Sequence, residues 1–446
     1  MAGIIGVVLT IGALIFAVMH SIYLGWPLLL GLVYFAFLSR INGRTWSYIY
    51  SFAREGAKKA FIVIPVLLLI GCVVAGWLSC GTVGALVYYS LPLIQPHLFI
   101  FYAFILCSLV STLLGTSFGT VGTIGIILMV LARGGGVDPY VTAGAIISGI
   151  YVGDRCSPMS SAMFLLSSVT ETDVYVNIKM LMKTTLPPFV LAAGLFLLVS
   201  ISHPLLAGES SLTLDIAESF HIGLLTFLPA VLIIVLACFR VNIRLSLLAS
   251  TVCAILLAFF LQGMGIMQIV YTLFGGFHMS PANPLANIIT GGGMWGMIKT
   301  GFILLIACSL SGVLESAGML DGLQKLLLKP SSRVNLYLKT LVIALFGLVG
   351  GCTQAISIVM TGHLMIRPYE QCGLNKYDLA KDISFTAFPL AAVIPWNVAA
   401  MVPIATLGLK HATHTPYLFY PLLLPLVYGV YYAIVQAKTR NNRVGA

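Results

Sequence analysis

From Gly3 to Val435 the chain is a succession of apolar runs long enough to cross a bilayer, with no polar stretch between them that could form a soluble domain. Backbone groups in lipid must be hydrogen-bonded within the structure, so only helices or a closed barrel can span it. The runs are continuous rather than alternating, which excludes an outer-membrane barrel. With 59% hydrophobic residues, 8% charged residues and a mean hydropathy of +1.05 over 446 residues, no soluble fold could hide the apolar surface. The expectation is an all-α polytopic membrane protein with roughly 10–14 membrane segments. Spans are expected near 3–19, 22–38, 61–79, 98–115, 117–132, 141–169, 184–202, 222–239, 245–263, 299–314, 335–350, 354–366, 383–403 and 416–435. The stretch 141–169 is too long for one regular helix and contains Gly153 and Pro158, so it reads as a broken helix. The 117–132 and 354–366 segments are open to a second reading as re-entrant arms.

The net charge of +10 does not point to nucleic acid, because the basic residues fall in short loops. With the N-terminus cytoplasmic, Arg40, Arg44, Arg54, Lys58, Lys59, Arg367, Lys376, Lys381, Lys438, Arg440 and Arg443 lie inside, while Arg133 and Lys410 lie outside. That asymmetry sets the expected orientation, with both termini cytoplasmic in a cell (inner) membrane. Nine cysteines are scattered singly without a C-x-x-C, as expected of reduced, buried, small apolar residues. The first apolar run has no basic residues before it and no small-residue cleavage site, and reads as a retained helix.

Two polar interruptions recur 237 residues apart. The first is Gly115-Thr116-Ser117-Phe118-Gly119-Thr120, followed by Asp154-Arg155-Cys156-Ser157-Pro158-Met159-Ser160-Ser161. The second is Cys352-Thr353-Gln354-Ala355-Ile356-Ser357, followed by Ile394-Pro395-Trp396-Asn397. Residues 67–80 also resemble 303–316, yet the loop after the first copy has no Lys or Arg and the loop after the second has Lys325, Lys329 and Arg333. The two copies therefore run in opposite directions, as an inverted-topology transporter repeat requires. The organisation expected is N-terminal helices and a basic cytoplasmic loop (1–60), a first repeat with the core site (61–183), connecting helices (184–298), and a second repeat with a C-terminal helix (299–446).

Unwound backbone is tolerated at membrane depth only where it faces protein or a watery cavity. Thr116, Ser117, Thr120, Ser157, Ser160, Thr353, Gln354, Ser357 and Asn397 offer hard oxygens there to a cation. The glycines at 115, 119, 122 and 125 fit either a backbone turn or close helix packing. Asp154 stands inside an apolar stretch, and an intramembrane carboxylate is a proton carrier or cation ligand by default. A buried carboxyl holds a proton tightly and a bound cation displaces it, so the two compete for one group, which is the simplest basis of antiport. An ion pair with Arg155, or a place at the watery end of a helix, is the structural alternative for Asp154. Arg155 could neutralise it, snorkel to water or bind an anionic substrate, and Trp396 could gate a cavity or anchor an interface. Glu315 reads as a loop or gate residue, Asp382 as a solvated edge residue, and His411-x-x-His414 as a ligand-like spacing without a third ligand. There is no Walker motif, GxSxG with triad partners or HExxH, so an enzyme reading finds no nucleophile–base pair or metal triad.

At these residues the chain resembles the NhaC family of Na+/H+ antiporters. The matching motifs are GTSFGTVGTIG (115–125), TAGAIISGIYVGD (142–154), SPMS (157–160), TETD (170–173), KTTLPPF (183–189), SIVMTGHLMIRPYEQCGL (357–374), PLAAVIPWN (389–397) and TLGL (406–409). The resemblance implies an alternating-access exchanger coupling inward proton movement to outward sodium movement, with no cofactor and no metal beyond a transported alkali cation. Some members of the family exchange organic acids such as malate and lactate instead, and an ion-coupled carrier of a small organic anion or amino acid is the alternative expectation. Where the family commonly carries an acid after SP-x-S, this chain has Ser161. The expected partners are Na+ and H+, the lipid bilayer and, as an open alternative, a second copy of the chain; nucleic acid is not among them.

Overall fold

In the computed structural model of the chain the described residues are 2–20, 22–205, 209–239, 241–316, 332–409 and 413–444. They are helical throughout, and their only β-type pairing is an isolated bridge between Phe277 and Gly291. The first half contains α1 (Ala2–Met19), α2 (Gly25–Ile41), α3 (Trp46–Ser79), α4 (Thr82–Ser90), α5 (Phe99–Leu114), α6 (Ser117–Gly134, with a π turn at Val121–Gly125), α7 (Pro139–Cys156), α8 (Ser161–Thr170) and α9 (Val174–Ser202). Next come α10 (Glu209–Ser219), α11 (Leu228–Cys238), α12 (Ile243–Phe260) and α13 (Ile266–Gly275). The second half contains α14 (Met294–Ser316), α15 (Arg333–Gly351), α16 (Gln354–Gln371), α17 (Lys376–Leu390), α18 (Val398–Thr406) and α19 (Phe419–Val444).

Among the described residues eight helices are long and apolar enough to cross a bilayer, or nine if Thr213–Ser219 and Leu224–Leu236, bent by 98°, count as one span. Most other expected segments are shorter apolar helices (α1, α2) or half-length helices beside breaks. The 141–169 run divides into α7 and α8, as its Gly153 and Pro158 predict, and 383–403 divides in the same way into α17 and α18. One expectation is corrected. Arg54, Lys58 and Lys59 belong to no loop, because Thr45 caps a helix that runs 34 residues from Trp46. At about 51 Å it is longer than the ~30 Å hydrocarbon core, and these bases lie in its first four turns.

Glycines decide which helices touch most closely. A Cβ on Gly56 of α3 would lie 2.1 Å from the Cys308 carbonyl oxygen of α14, and one on Gly312 would lie 2.1 Å from that of Phe52. The pair α3/α14, one from each half, is thus in backbone contact. Gly149 and Gly153 do the same for α7 on α5, where a Cβ at 153 would sit 2.1 Å from the Ser111 carbonyl carbon. Small-xxx-small packing of this kind lets helix backbones approach closely. A separate apolar core joins Met163 and Leu166 of α8 to Leu336, Ile343, Ile358, Met365, Ile383 and Phe388 of α15, α16 and α17.

Candidate functional site

The two interruptions have the same local geometry. Gly115 (φ 66) and Cys352 (φ 54) both turn the chain through the left-handed region and end α5 and α15. The next residues, Thr116 and Thr353, cap α6 and α16, accepting from Gly119 N and Ile356 N at 3.3 Å each. Forty-odd residues on, Ser160 caps α8 through Met163 N (3.3 Å) and Asn397 caps α18 through Ala399 N (3.1 Å). Four helices therefore begin at the breaks, each with a side-chain oxygen on an otherwise orphaned N–H. Packing repeats as well: a Cβ on Gly125 would meet Leu407, which ends α18, at 3.5 Å, and one on Gly362, 237 residues later, would meet Val169 of α8 at 2.2 Å.

Asp154 ends α7 beside these caps. It is 6% exposed, and its Oδ1 accepts from the Ser160 hydroxyl at 3.3 Å, so one hydroxyl serves both the cap and the carboxylate. Gln354, the first residue of α16, lines the cavity from the other half, and its Nε2 is buried without a hydrogen-bond partner. Tyr151, one turn back from Asp154, donates to the Ala399 carbonyl (2.8 Å) and ties α7 to α18. The close α7/α5 contact at Gly153 fixes the backbone immediately before Asp154.

Arg155 points elsewhere. It is fully buried and donates to Thr184 Oγ1 (3.0 Å), Thr185 Oγ1, Ser384 Oγ (3.3 Å) and the Leu181 carbonyl (3.4 Å), with its guanidinium 5.0 Å from the Phe385 ring centroid. It neither pairs with Asp154 nor reaches water. The ion-pair and snorkelling readings are therefore set aside, and its partners are all neutral.

A cavity of about 970 Å3 opens beside the breaks. Phe118, Ser161, Gln354 and Val398, first-turn residues of α6, α8, α16 and α18, all line it, as do Lys59 and His363. No Asp or Glu is among its lining residues. Of the expected site residues, Thr353 and Gln354 face the cavity. Thr120 donates to the Thr116 carbonyl (2.8 Å), Ser357 to the Ala344 carbonyl (2.8 Å), and Asn397 Nδ2 to the Leu348 carbonyl (3.0 Å). Ser157 accepts from Met159 N at 3.2 Å, and Ser117 is buried at the start of α6. Trp396 is 4% exposed, donates to the Val349 carbonyl (3.1 Å) and belongs to the apolar core that holds Ile303, Ala307 and Leu310 of α14, so it is neither an interfacial anchor nor a cavity wall.

Asp382 departs from its expected solvated place. It is fully buried, paired with Arg333 (2.5 Å) and accepting from Tyr369 (2.5 Å) and Tyr432 (2.8 Å), with the Arg333 guanidinium 3.9 Å from the Tyr432 ring centroid. The neighbouring Lys381 pairs with Asp378 instead. His414 is 1% exposed with both ring nitrogens unpartnered, His411 lies outside the described residues, and no group of three potential metal ligands occurs among those described. The Glu315 side chain also lies outside those described. Sequence reasoning did not find Tyr151, Lys59, His363 or the Arg333–Asp382 pair as site or core residues, because each acts across helices distant in the chain.

A helical membrane bundle with two matched breaks, and a carboxylate without a cation between them, is the architecture of a secondary transporter. The Na+/H+ antiporter family matches residues 149–436, and the chain belongs to that family. It is 30% identical over 411 residues to the Na+/H+ antiporter NhaC of Alkalihalophilus pseudofirmus, covering 90% of this chain and 88% of that protein. It is 27% identical over 443 residues to the malate-2H+/Na+-lactate antiporter of Bacillus subtilis (96% and 94% covered). It is likewise 27% identical over 413 residues to the arginine/ornithine antiporter ArcD of Halobacterium salinarum (90% and 84% covered). The protein is thus a multi-pass membrane antiporter, as its motifs imply.

Proposed function

We propose that this antiporter exchanges Na+ for H+ by alternating access, with Asp154 as the shared carrier. One observation carries the reading. Of the two buried carboxylates among the described residues, Asp382 is neutralised by Arg333, and Asp154 has no cation. A buried carboxylate without a partner is costly, so it takes up a proton or a cation. Ser160 and Gln354 supply further oxygens, and protonation of Asp154 releases the cation. Thr116, Ser117, Thr120, Ser157, Thr353, Ser357 and Asn397 hold the helix ends that shape this pocket. The first half handles the proton and the second completes the site, within repeats spanning 61–183 and 299–446 and with both termini cytoplasmic. In everted vesicles, Na+ or Li+ should dissipate a preformed pH gradient, and Asp154→Asn should abolish the response. Activity surviving in Asp154→Asn, or no response of the unmodified protein to any alkali cation, refutes the assignment.

A second reading has its own support. Four helix N-termini, Lys59 and His363 border a cavity without acids, and helix N-termini favour anions. At about 970 Å3 the space far exceeds the ~30 Å3 share of one water molecule. Ser161, exposed on its wall, stands where the family commonly has an acid. A small organic anion or amino acid, carried with ion coupling, fits these features. Uptake of labelled malate, lactate or arginine into proteoliposomes, driven by a Na+ or pH gradient, separates this reading from the first.

A further inference from the structure

On α3, α14 and α16 the residues lining the cavity lie on one side of the breaks. Its wall on α16 is formed by Ile356, Val359, Met360, His363 and Leu364, and its opposite wall by Lys59, Ile62 and Val63 of α3 with Ser311 and Leu314 of α14. On the far side of the breaks the same two scaffold helices are in contact with the bundle. A Cβ on Gly122 of α6 would lie 3.5 Å from Ile70 of α3. Met401 of α18 belongs to the same apolar core as Ile303, Ala307 and Leu310 of α14, and α18 packs on both α14 and α3. The α6 segment has 78% of its residues buried, the largest share of any span.

The repeat relates these faces residue by residue. Subtracting 237 from the five α16 wall positions gives Gly119, Gly122, Thr123, Ile126 and Ile127, one continuous face of α6. Leu165, which lines the cavity from α8, corresponds to Val402 of α18. The breaks, caps and α6/α18 and α8/α16 contacts already obey this offset, so the open and sealed faces are two copies of one design. We propose that the sealed face is a second cavity, lined by Gly119, Gly122, Thr123 and Ile126 of α6 and Val402 of α18, which opens to the opposite side of the membrane as the present cavity closes. The inference rests on the alternating-access reading and adds which interface parts and what it exposes. Interfaces of this kind are bistable, so each face is either packed on α3/α14 or released from it. Arg133 Nη2 donates to the Leu407 (2.7 Å) and Gly408 (3.3 Å) carbonyls and so ties the end of α6 to the turn after α18.

The test labels Leu165→Cys and Thr123→Cys with a membrane-impermeant maleimide, in intact cells and in everted vesicles, above the level of the unmodified chain. Leu165→Cys should react from the face bearing the basic loops, and Thr123→Cys from the other. A wedge at the sealed face, Gly122→Leu, should lower the first signal several-fold and raise the second. Gly122→Ala, whose methyl fits at 3.5 Å from Ile70, should change neither and controls for folding. Reaction of both cysteines from the same face overturns the proposal. So does a Thr123→Cys that stays unlabelled with and without the wedge. If the cysteines behave as expected but no cation moves protons, the Na+/H+ assignment fails and the second cavity stands.

Discussion

The α3/α14 contact gives a sharp test of the scaffold on which both cavities depend. A Cβ at Gly56 would lie 2.1 Å from the Cys308 oxygen and 3.2 Å from Gly312 N, and a Cβ at Gly312 would lie 2.1 Å from the Phe52 oxygen and 3.3 Å from Gly56 N. The close atoms are backbone, so no side chain can swing aside. Ordinary contact begins near 3.4 Å, and the helices must therefore part locally by about 1.3 Å to admit one methyl group. Overpacking of this kind costs about 1–3 kcal/mol. Offsetting it, Ala is preferred to Gly inside a helix by roughly 0.5–1 kcal/mol. Gly296→Ala isolates that gain, because a Cβ there on α14 meets nothing within 4 Å. Gly56→Ala and Gly312→Ala should each be less stable than Gly296→Ala by about 1–3 kcal/mol. The double variant should be less destabilised than the sum by ~1 kcal/mol, since one separation relieves both collisions. Reversible unfolding in mixed micelles, titrated with SDS, measures all four variants. If the two contact variants match Gly296→Ala, or if their effects simply add, the backbone contact is not as described.

Asp382→Asn leaves Arg333 without its counter-charge and should destabilise the protein by about 3–5 kcal/mol in the same titration; a near-neutral effect would return Asp382 to a solvated edge. Tyr432→Phe removes one hydrogen bond to that carboxylate and should cost about 1.5–3 kcal/mol. Ser161→Asp should lower the Na+ concentration giving half-maximal proton flux in everted vesicles, because it adds a carboxylate to an acid-free wall; unchanged Na+ dependence would show that position 161 does not contact the ion path. His414, in the loop after α18, is held by burial at about 4 against its ordinary 6.5. The unfolded chain binds the proton first, so stability is full above pH 6.5 and falls as pH drops toward 4, by about 3 kcal/mol in all. Melting temperatures from pH 7 to 5 should show this fall, and His414→Phe should flatten it; equal slopes in both proteins would refute the assignment.

What could be read from the sequence follows the range of the interaction responsible. The breaks were legible because glycine, proline and hydroxyl residues act on their own backbone, and Asp154 because a charge inside an apolar run is conspicuous. The α3 extension is hidden from hydropathy, which registers where a helix leaves the lipid and not where it begins. Asp382 looked solvated beside Lys381, and only the packing of α15, α17 and α19 brings Arg333 and Tyr432 to it. In the sequence the threonines stand out by their oxygens. Position within a capping turn, which residue type alone does not show, assigns Thr116 and Thr353 to orphaned backbone N–H groups.

The enclosure of Arg155 among neutral partners has an electrical consequence. Asp382 and Arg333 cancel, so under the proposed carrier role the buried side chains carry no net charge when Asp154 is ionised and one positive charge when Asp154 holds either H+ or Na+. Both loaded forms then cross the same potential with the same charge, and the work, ~2.3 kcal/mol per 100 mV for a full crossing, is returned on the opposite stroke. Exchange through Asp154 alone should therefore proceed at equal steady state whether vesicles are held at zero or at an imposed diffusion potential. A shift of the final pH gradient with voltage would mean that a further charge, on a second ion or on an organic anion, travels with one of the two strokes.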